Sequence, residues 1–205
     1  MSKMKSKQTM VGSKTLSGFH VMADVAAMEI KVKAGACGFG TFGATINGGD
    51  VSAASDLYRD GLGCGACYQV RCTNSNYCSE NGVNVVITDH GASDSTDFIL
   101  SQRAFSRMAQ TKDAAASLLS LGNVGIEYRR VSCSYPNKNI TFKIDESSDN
   151  PYYLAFVIWY QQGKTDISAV QLCEMTKKQL KDTWRSMDKF ITTKRTIANK
   201  NVIEF

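Results

Sequence analysis

The ten residues Gly63–Cys72, GCGACYQVRC, are the stretch from which the fold can be read. Gly61-Leu62-Gly63 at their start is a turn signal. From Cys67 to Cys72 the residues alternate as they do on a strand with one buried face. Outward from this strand the elements stay short. Gly48-Gly49-Asp50 is a second turn signal, Val83 to Thr88 is a β-branched run broken only by Asn84, and Gly125 to Val131 reads as another strand. The segment Ser101 to Gln110 is expected to be helical, with Phe105 and Met108 three apart behind Ser101 as N-cap. Ser134-Tyr135-Pro136-Asn137 reads as a linker. Beyond it, Ile140-Phe142-Ile144 and Leu154-Phe156-Ile158 alternate as strands of an antiparallel sheet. Gln162-Gly163-Lys164 is expected to turn a hairpin into a returning strand, Ile167 to Leu172. The pattern predicts a β-rich barrel followed by a small β-sandwich.

Six of the seven cysteines lie between Cys37 and Cys133, a density typical of secreted, disulfide-stapled domains. The rival reading is a zinc site on Cys64-x-x-Cys67. There is no second such pair, and neither His20 nor His90 has ligand spacing to it, so disulfides are favoured. Residues 1–33 differ from the rest: they are Lys- and Met-rich and carry no cysteine. Their best apolar stretch, Phe19 to Ile30, is interrupted by His20, Asp24 and Glu29, so neither a signal peptide nor a membrane span is read there. The net charge of +5 suits simple solubility or attraction to an acidic partner. Lys and Arg are scattered over most of the chain, which argues against a nucleic-acid stripe.

Several spaced motifs, in order over about three quarters of the 205 residues, resemble a plant expansin. They are GACGFG at 35–40, GCGACYQVRC at 63–72, VVITD at 85–89, DFILSQRAF at 97–105, GIEYRRVSC at 125–133, PYYLAFVIWYQQGKTDISAVQL at 151–172 and TWRSM at 183–187. The wording is nearest to the expansin-like B group. The resemblance implies a double-psi β-barrel over 34–134, related to family-45 endoglucanases, and an immunoglobulin-like polysaccharide-binding sandwich over 138–205. It also implies the disulfides Cys37–Cys64, Cys67–Cys133 and Cys72–Cys78, with Cys173 left over. Two departures stand out. The family's early barrel strand, a Thr-aromatic-Tyr-Gly segment, has no counterpart in residues 1–33, and the second domain reads as shortened.

By resemblance, the protein is an extracellular, monomeric binder of cell-wall polysaccharide, namely cellulose, xyloglucan or a pectin-rich matrix, with no cofactor, metal, nucleic-acid or membrane partner. Thr88-Asp89 matches the groove's Thr-Asp pair. The family's proton-donating acid falls on Ile99, with Asp97 offset by two residues on the same strand face and by about 7 Å in reach. Tyr68 and Phe98 are expected on the groove wall, and Tyr152 and Tyr153 on the second domain, with Tyr153 favoured for stacking on sugar rings and Trp159 and Trp184 as packing residues. Inverting hydrolysis needs two carboxyls across the scissile bond, so Ile99 predicts binding or loosening without cleavage. The alternatives are a weak β-glucan endohydrolase and a binding-only or inactive truncated product.

Overall fold

The computed structural model describes residues 3–9, 21–25, 35–91, 97–149, 152–174 and 183–187. In chain order the elements are β1 (Lys3–Thr9), β2 (Val21–Val25), β3 (Val51–Ala54), β4 (Cys67–Cys72), β5 (Val83–His90), β6 (Phe98–Leu100), α1 (Gln102–Arg107), α2 (Lys112–Leu121), β7 (Asn123–Val131), β8 (Thr141–Ile144), β9 (Phe156–Trp159), β10 (Asp166–Glu174) and β11 (Thr183–Met187). Short 3₁₀ turns at Gly40–Ala44, Ile46–Gly49 and Asp56–Gly61 connect the early strands.

A barrel closes in the order β2-β6-β3-β5-β4-β7. The pairs β2–β6 and β3–β5 are parallel and the rest antiparallel. β4 sits between β5 and β7 and pairs along its whole length with β7, Cys67 opposite Val131 through Cys72 opposite Ile126. Its inward face carries Tyr68, Val70 and Cys72, which meet Val85, Ile87, Phe98, Leu100, Phe105 and Leu118 in one core. The turn before β4 is possible only with glycine at 63, where a Cβ would lie 1.9 Å from the Leu57 carbonyl oxygen. Gly82, at φ +58°, fills the same need beside Val70 at the turn into β5.

Ser101 caps α1 by accepting the Ala104 N–H, which agrees with the sequence reading, although the helix stops at Arg107. The helix α2 was not expected. Thr111 caps it by accepting the Ala114 N–H, and Ala114 and Leu118 are its buried residues. The three disulfides implied by the resemblance are formed, with Cα–Cα distances of 5.5, 5.3 and 5.5 Å.

The early barrel strand is present after all. Val21–Val25 occupies it, parallel to β6 and antiparallel to β7, and so closes the barrel without the family's wording. The tail also contributes to the second unit, where β1 pairs with β10, Lys3 opposite Cys173 through Thr9 opposite Asp166. That unit therefore has two sheets, β8-β9 and β1-β10-β11. Ile158, Ile167 and Val170 are buried between them, with Phe142 and Phe156 packed against the cluster. A second correction concerns 162–164. β9 and β10 lie in different sheets, and Gly163 exchanges both backbone hydrogen bonds with Cys133 at 2.9 and 3.0 Å. The segment thus ties the second unit to the barrel's last cysteine instead of turning a hairpin.

Candidate functional site

The end of β5 carries the expected Thr88-Asp89 pair. Thr88 is buried, while Asp89 is half-buried and held by its backbone surroundings. One oxygen of Asp89, Oδ1, accepts the N–H of Ala36 at 2.6 Å and that of His90 at 2.8 Å. Ala36 belongs to the GACGFG loop, which the Cys37–Cys64 bridge fastens to the turn before β4. Tyr58 closes this corner. Its hydroxyl faces the Ala36 carbonyl at 3.4 Å and its ring lies 4.7 Å from that of His90. Burial raises the Tyr58 hydroxyl above the ordinary tyrosine range, and the nearby charges of Asp89 and Asp60 add to the effect. Tyr58 is a site neighbour that the sequence reading missed; its spacing in a 3₁₀ turn gave no signal.

Sheet register places the second expected position. Ala53 of β3 is paired on one side with Asp89 and on the other with Ile99. Residues paired across a sheet share a face, so Asp89 and Ile99 stand on the same face, two strand spacings or about 9–10 Å apart. The surface between them is apolar: a Cβ on Gly91 would come 3.0 Å from both Ala53 Cβ and Ile99 Cδ1. No carboxyl occupies position 99 itself.

Asp97 lies just ahead of β6, half-buried, with its backbone carbonyl accepting the Ser55 N–H at 3.2 Å. Burial raises its carboxyl above the usual range and Asp56 adds to this, while a hydrogen bond with the Ser55 side chain opposes them. Tyr128 is pushed up by its own burial and then by Asp97, Tyr68 and Asp56. These groups form a second polar cluster at the start of β6, distinct from the Asp89 corner.

Tyr68 and Phe98 are not on a groove wall. They are 6% and 0% exposed, and they pack edge to face with each other and with Tyr128 at 5.0–6.0 Å between centroids. The reason is strand parity: Tyr68 shares its face with Val70 and Cys72, and Phe98 with Leu100, all of them core. On the second unit it is Tyr152 that is exposed, at 68%, while Tyr153 is half-buried. A turn over Asp149 sets the pair, with the N–H groups of both tyrosines donating to the Asp149 carbonyl at 2.7 and 2.6 Å. Trp159 packs, as expected. It stacks on Phe42 at 4.1 Å, and Lys143 Nζ lies 5.5 Å from its ring centre. The side chains of Trp184 and Cys173 lie outside the described residues.

The two units meet through charge as well as rings. Asp166, at the start of β10, takes Arg59 at 2.7 Å and Arg130 at 2.9 Å. Arg130 in turn lies over the Tyr68 ring at 5.2 Å, so the barrel core and the junction are linked. Among the described residues no group of His, Cys, Asp or Glu could hold a metal ion, and no helix is long and apolar enough to cross a membrane.

A closed barrel of this order, joined to a two-sheet unit, defines a two-part β protein of the double-psi class, and comparison with known proteins agrees. A family model described as Lytic transglycolase matches residues 50–128, and the Expansin C-terminal domain model matches residues 140–203. The chain belongs to the expansin family. It is 74% identical over 140 residues to Expansin-like B1 of Oryza sativa subsp. japonica, covering 68% of this chain and 55% of the relative. It is 48% identical over 154 residues to Expansin-like B1 of Arabidopsis thaliana, covering 75% and 60%. The chain thus spans somewhat over half the length of these relatives. The apo expansin of Clavibacter michiganensis shares the fold, with a TM-score of 0.50 at 13% identity over 82% of this chain and 88% of that one.

Proposed function

We propose that this chain binds and loosens cell-wall β-glucan without hydrolysing it. The carrying observation is the pairing across Ala53: Asp89 is pinned by two backbone N–H groups, and Ile99, the position that the resemblance aligns with the family's proton-donating acid, pairs with the same Ala53. Glycoside cleavage needs an acid to protonate the leaving oxygen and a base to activate water. Asp89 supplies one carboxyl, and Ile99 has no proton to give. A hydrogen-bonding carboxylate beside the half-buried apolar pair Gly91 and Ile99 suits sugar hydroxyls and ring faces instead.

Tyr152 supplies the second contact, an exposed ring free to stack on a sugar. The barrel over 34–134 would grip the chain and the unit over 138–205 would anchor it. Cellulose and xyloglucan are the polymers of this class, a pectin-rich matrix is the acidic alternative, and a monomer exported to the cell wall is the form that would meet them. The stapled cysteines and the kinship with expansin-like proteins support that reading.

One observation favours weak hydrolysis as a second reading: the raised carboxyl of Asp97 holds its proton more readily than an ordinary aspartate. Its offset of two residues from position 99 costs about 7 Å of reach. Reducing-end release from cellulose and mixed-linkage glucan is therefore expected to match a heat-killed control. Turnover that vanishes in Asp97→Asn or Asp89→Asn would establish the hydrolase instead. Binding is expected to fall roughly five-fold in Tyr152→Ala, from about 1 kcal/mol of stacking, with the melting temperature unchanged. Undiminished sedimentation of that variant with cellulose would remove Tyr152 from the site.

A further inference from the structure

We propose that Asn139 is an N-glycan acceptor, and that its glycan projects from the root of the β8–β9 hairpin, at the end away from Tyr152. Asn139-Ile140-Thr141 is the sole Asn-x-Ser/Thr triplet in the 205 residues. It lies between the linker and β8, and its three residues alternate: Asn139 and Thr141 are exposed, while Ile140 is half-buried against the Ile158, Ile167 and Val170 cluster. Residues two apart on extended backbone share a face. The acceptor amide and the hydroxyl that accompanies it in every acceptor triplet are therefore presented together, and Thr141 Oγ1 already turns back to donate to the Asn139 carbonyl at 3.0 Å.

The pedestal under Asn139 is firm. The Lys138 N–H donates to the Tyr135 carbonyl at 3.1 Å, and the Lys138 carbonyl accepts Gln162 Nε2 at 2.5 Å. A glycan attached at this point leaves from an exposed, fixed site and buries no sugar. The compartment is set by a separate observation. The three disulfides form where thiols are oxidised, which is also where oligosaccharide transfer takes place.

In the transfer the Asn139 side-chain nitrogen attacks C1 of the reducing-end sugar of a polyprenyl-diphosphate oligosaccharide. The N–C1 bond forms as the C1–O bond to diphosphate breaks. The amide proton passes to a base of the host transferase, and polyprenyl diphosphate leaves. No oxidant or reductant enters.

Position decides the consequence. From Asn139 to Asp145, where β8 gives way to the turn bearing Tyr152, the chain runs six residues, about 20 Å when extended. The glycan and the aromatic platform therefore occupy opposite ends of one hairpin, and the modification leaves the platform open. This holds whether or not the platform binds glucan.

The test is translation of the full chain behind a cleavable secretory leader in the presence of microsomes. Membrane-protected wild-type chain should carry one glycan, and peptide-N-glycosidase should remove it and leave aspartate at 139. Asn139→Gln and Thr141→Ala should each emerge unmodified, and Thr141→Ser should keep partial occupancy. Because transfer precedes folding, a variant that fails to fold still reports on the site. Protected wild-type chain with intact Asn139, or a glycan that survives in both Asn139→Gln and Thr141→Ala, overturns the assignment. Glycosylated and enzymatically deglycosylated protein should sediment equally with whichever polysaccharide the chain binds. A glycan that blocks that binding overturns its placement away from Tyr152.

Discussion

Asp97 and Phe98 are neighbours in sequence with opposite fates, and each can be tested by itself. Phe98 is fully buried, so Phe98→Ala should cost roughly 3–5 kcal/mol of stability through the lost burial and the cavity left behind. Asp97 is only partly covered, and its carboxyl is raised chiefly by burial. A raised carboxyl binds its proton more tightly in the folded chain than in the unfolded one. It therefore favours folding below its unfolded value near 3.8, and this contribution is lost as pH rises through the folded value. Asp97→Asn, which keeps an acceptor for Ser55 but carries no charge, should be the more stable protein at neutral pH. Its advantage over wild type should shrink as pH falls toward 4, as followed by urea midpoints across that range. A constant difference at all pH values would place the effect in packing instead. The burial of Phe98 and Tyr68 was legible: parity with Leu100 and with Val70 and Cys72 assigns both to the inner face. The family resemblance pulled them toward the groove, whereas the period of two in the strand itself pointed inward. The exposure of Tyr152 was not legible, because it depends on a turn over Asp149 whose backbone hydrogen bonds leave no mark in residue type.

Elements bounded by turn glycines and caps were the readable ones. β4, β5, β7 and the start of α1 follow from alternation, β-branched residues and a serine cap, close to where the sequence put them. β1 and β2 were not readable. KMKSKQT has a single apolar residue and VMADV is a five-residue run broken by Asp24 without alternation, so neither announces a strand, and their pairing is supplied by partners more than 70 residues away, β6, β7 and β10. Such pairings are tertiary in origin and leave only a weak local pattern. They also make a sharp test. Deleting residues 1–10 removes β1 and leaves the edge of β10 unpaired. Proteolysis within residues 166–174 should quicken and the second unit should melt earlier, whereas the barrel, which uses β2 rather than β1, should keep its disulfides and its melting transition. Unchanged proteolysis of the β10 segment would show that β1 adds no stability there.

At the scale of the whole molecule, the two units are held by a compact set of contacts. Phe42 stacks on Trp159, Cys133 and Gly163 share two backbone hydrogen bonds, and Asp166 is clamped between Arg59 and Arg130. The clamp is the most consequential of these. Asp166 and Arg130 have side chains only 14% and 16% exposed, so neither is well solvated, and removing the shared carboxylate leaves two arginine charges facing each other without it. If one glucan chain is gripped by the Asp89 corner and by Tyr152 together, the second contact is made at an effective concentration set by how firmly the units are held. Asp166→Ala should then separate two readouts. Binding of a short cello-oligosaccharide, which can reach only one unit, should be unchanged. Binding of insoluble cellulose, which can span both, should weaken by more than the roughly five-fold loss given by a single stacking tyrosine. Added salt should erode cellulose binding less in the variant than in wild type, because the screened pair is already gone. Equal losses on short and long ligands would mean that Asp166 supports the fold of one unit and not the register between two. No loss on either would mean that the ring stack and the Cys133–Gly163 tie are sufficient to hold the two contact surfaces in line.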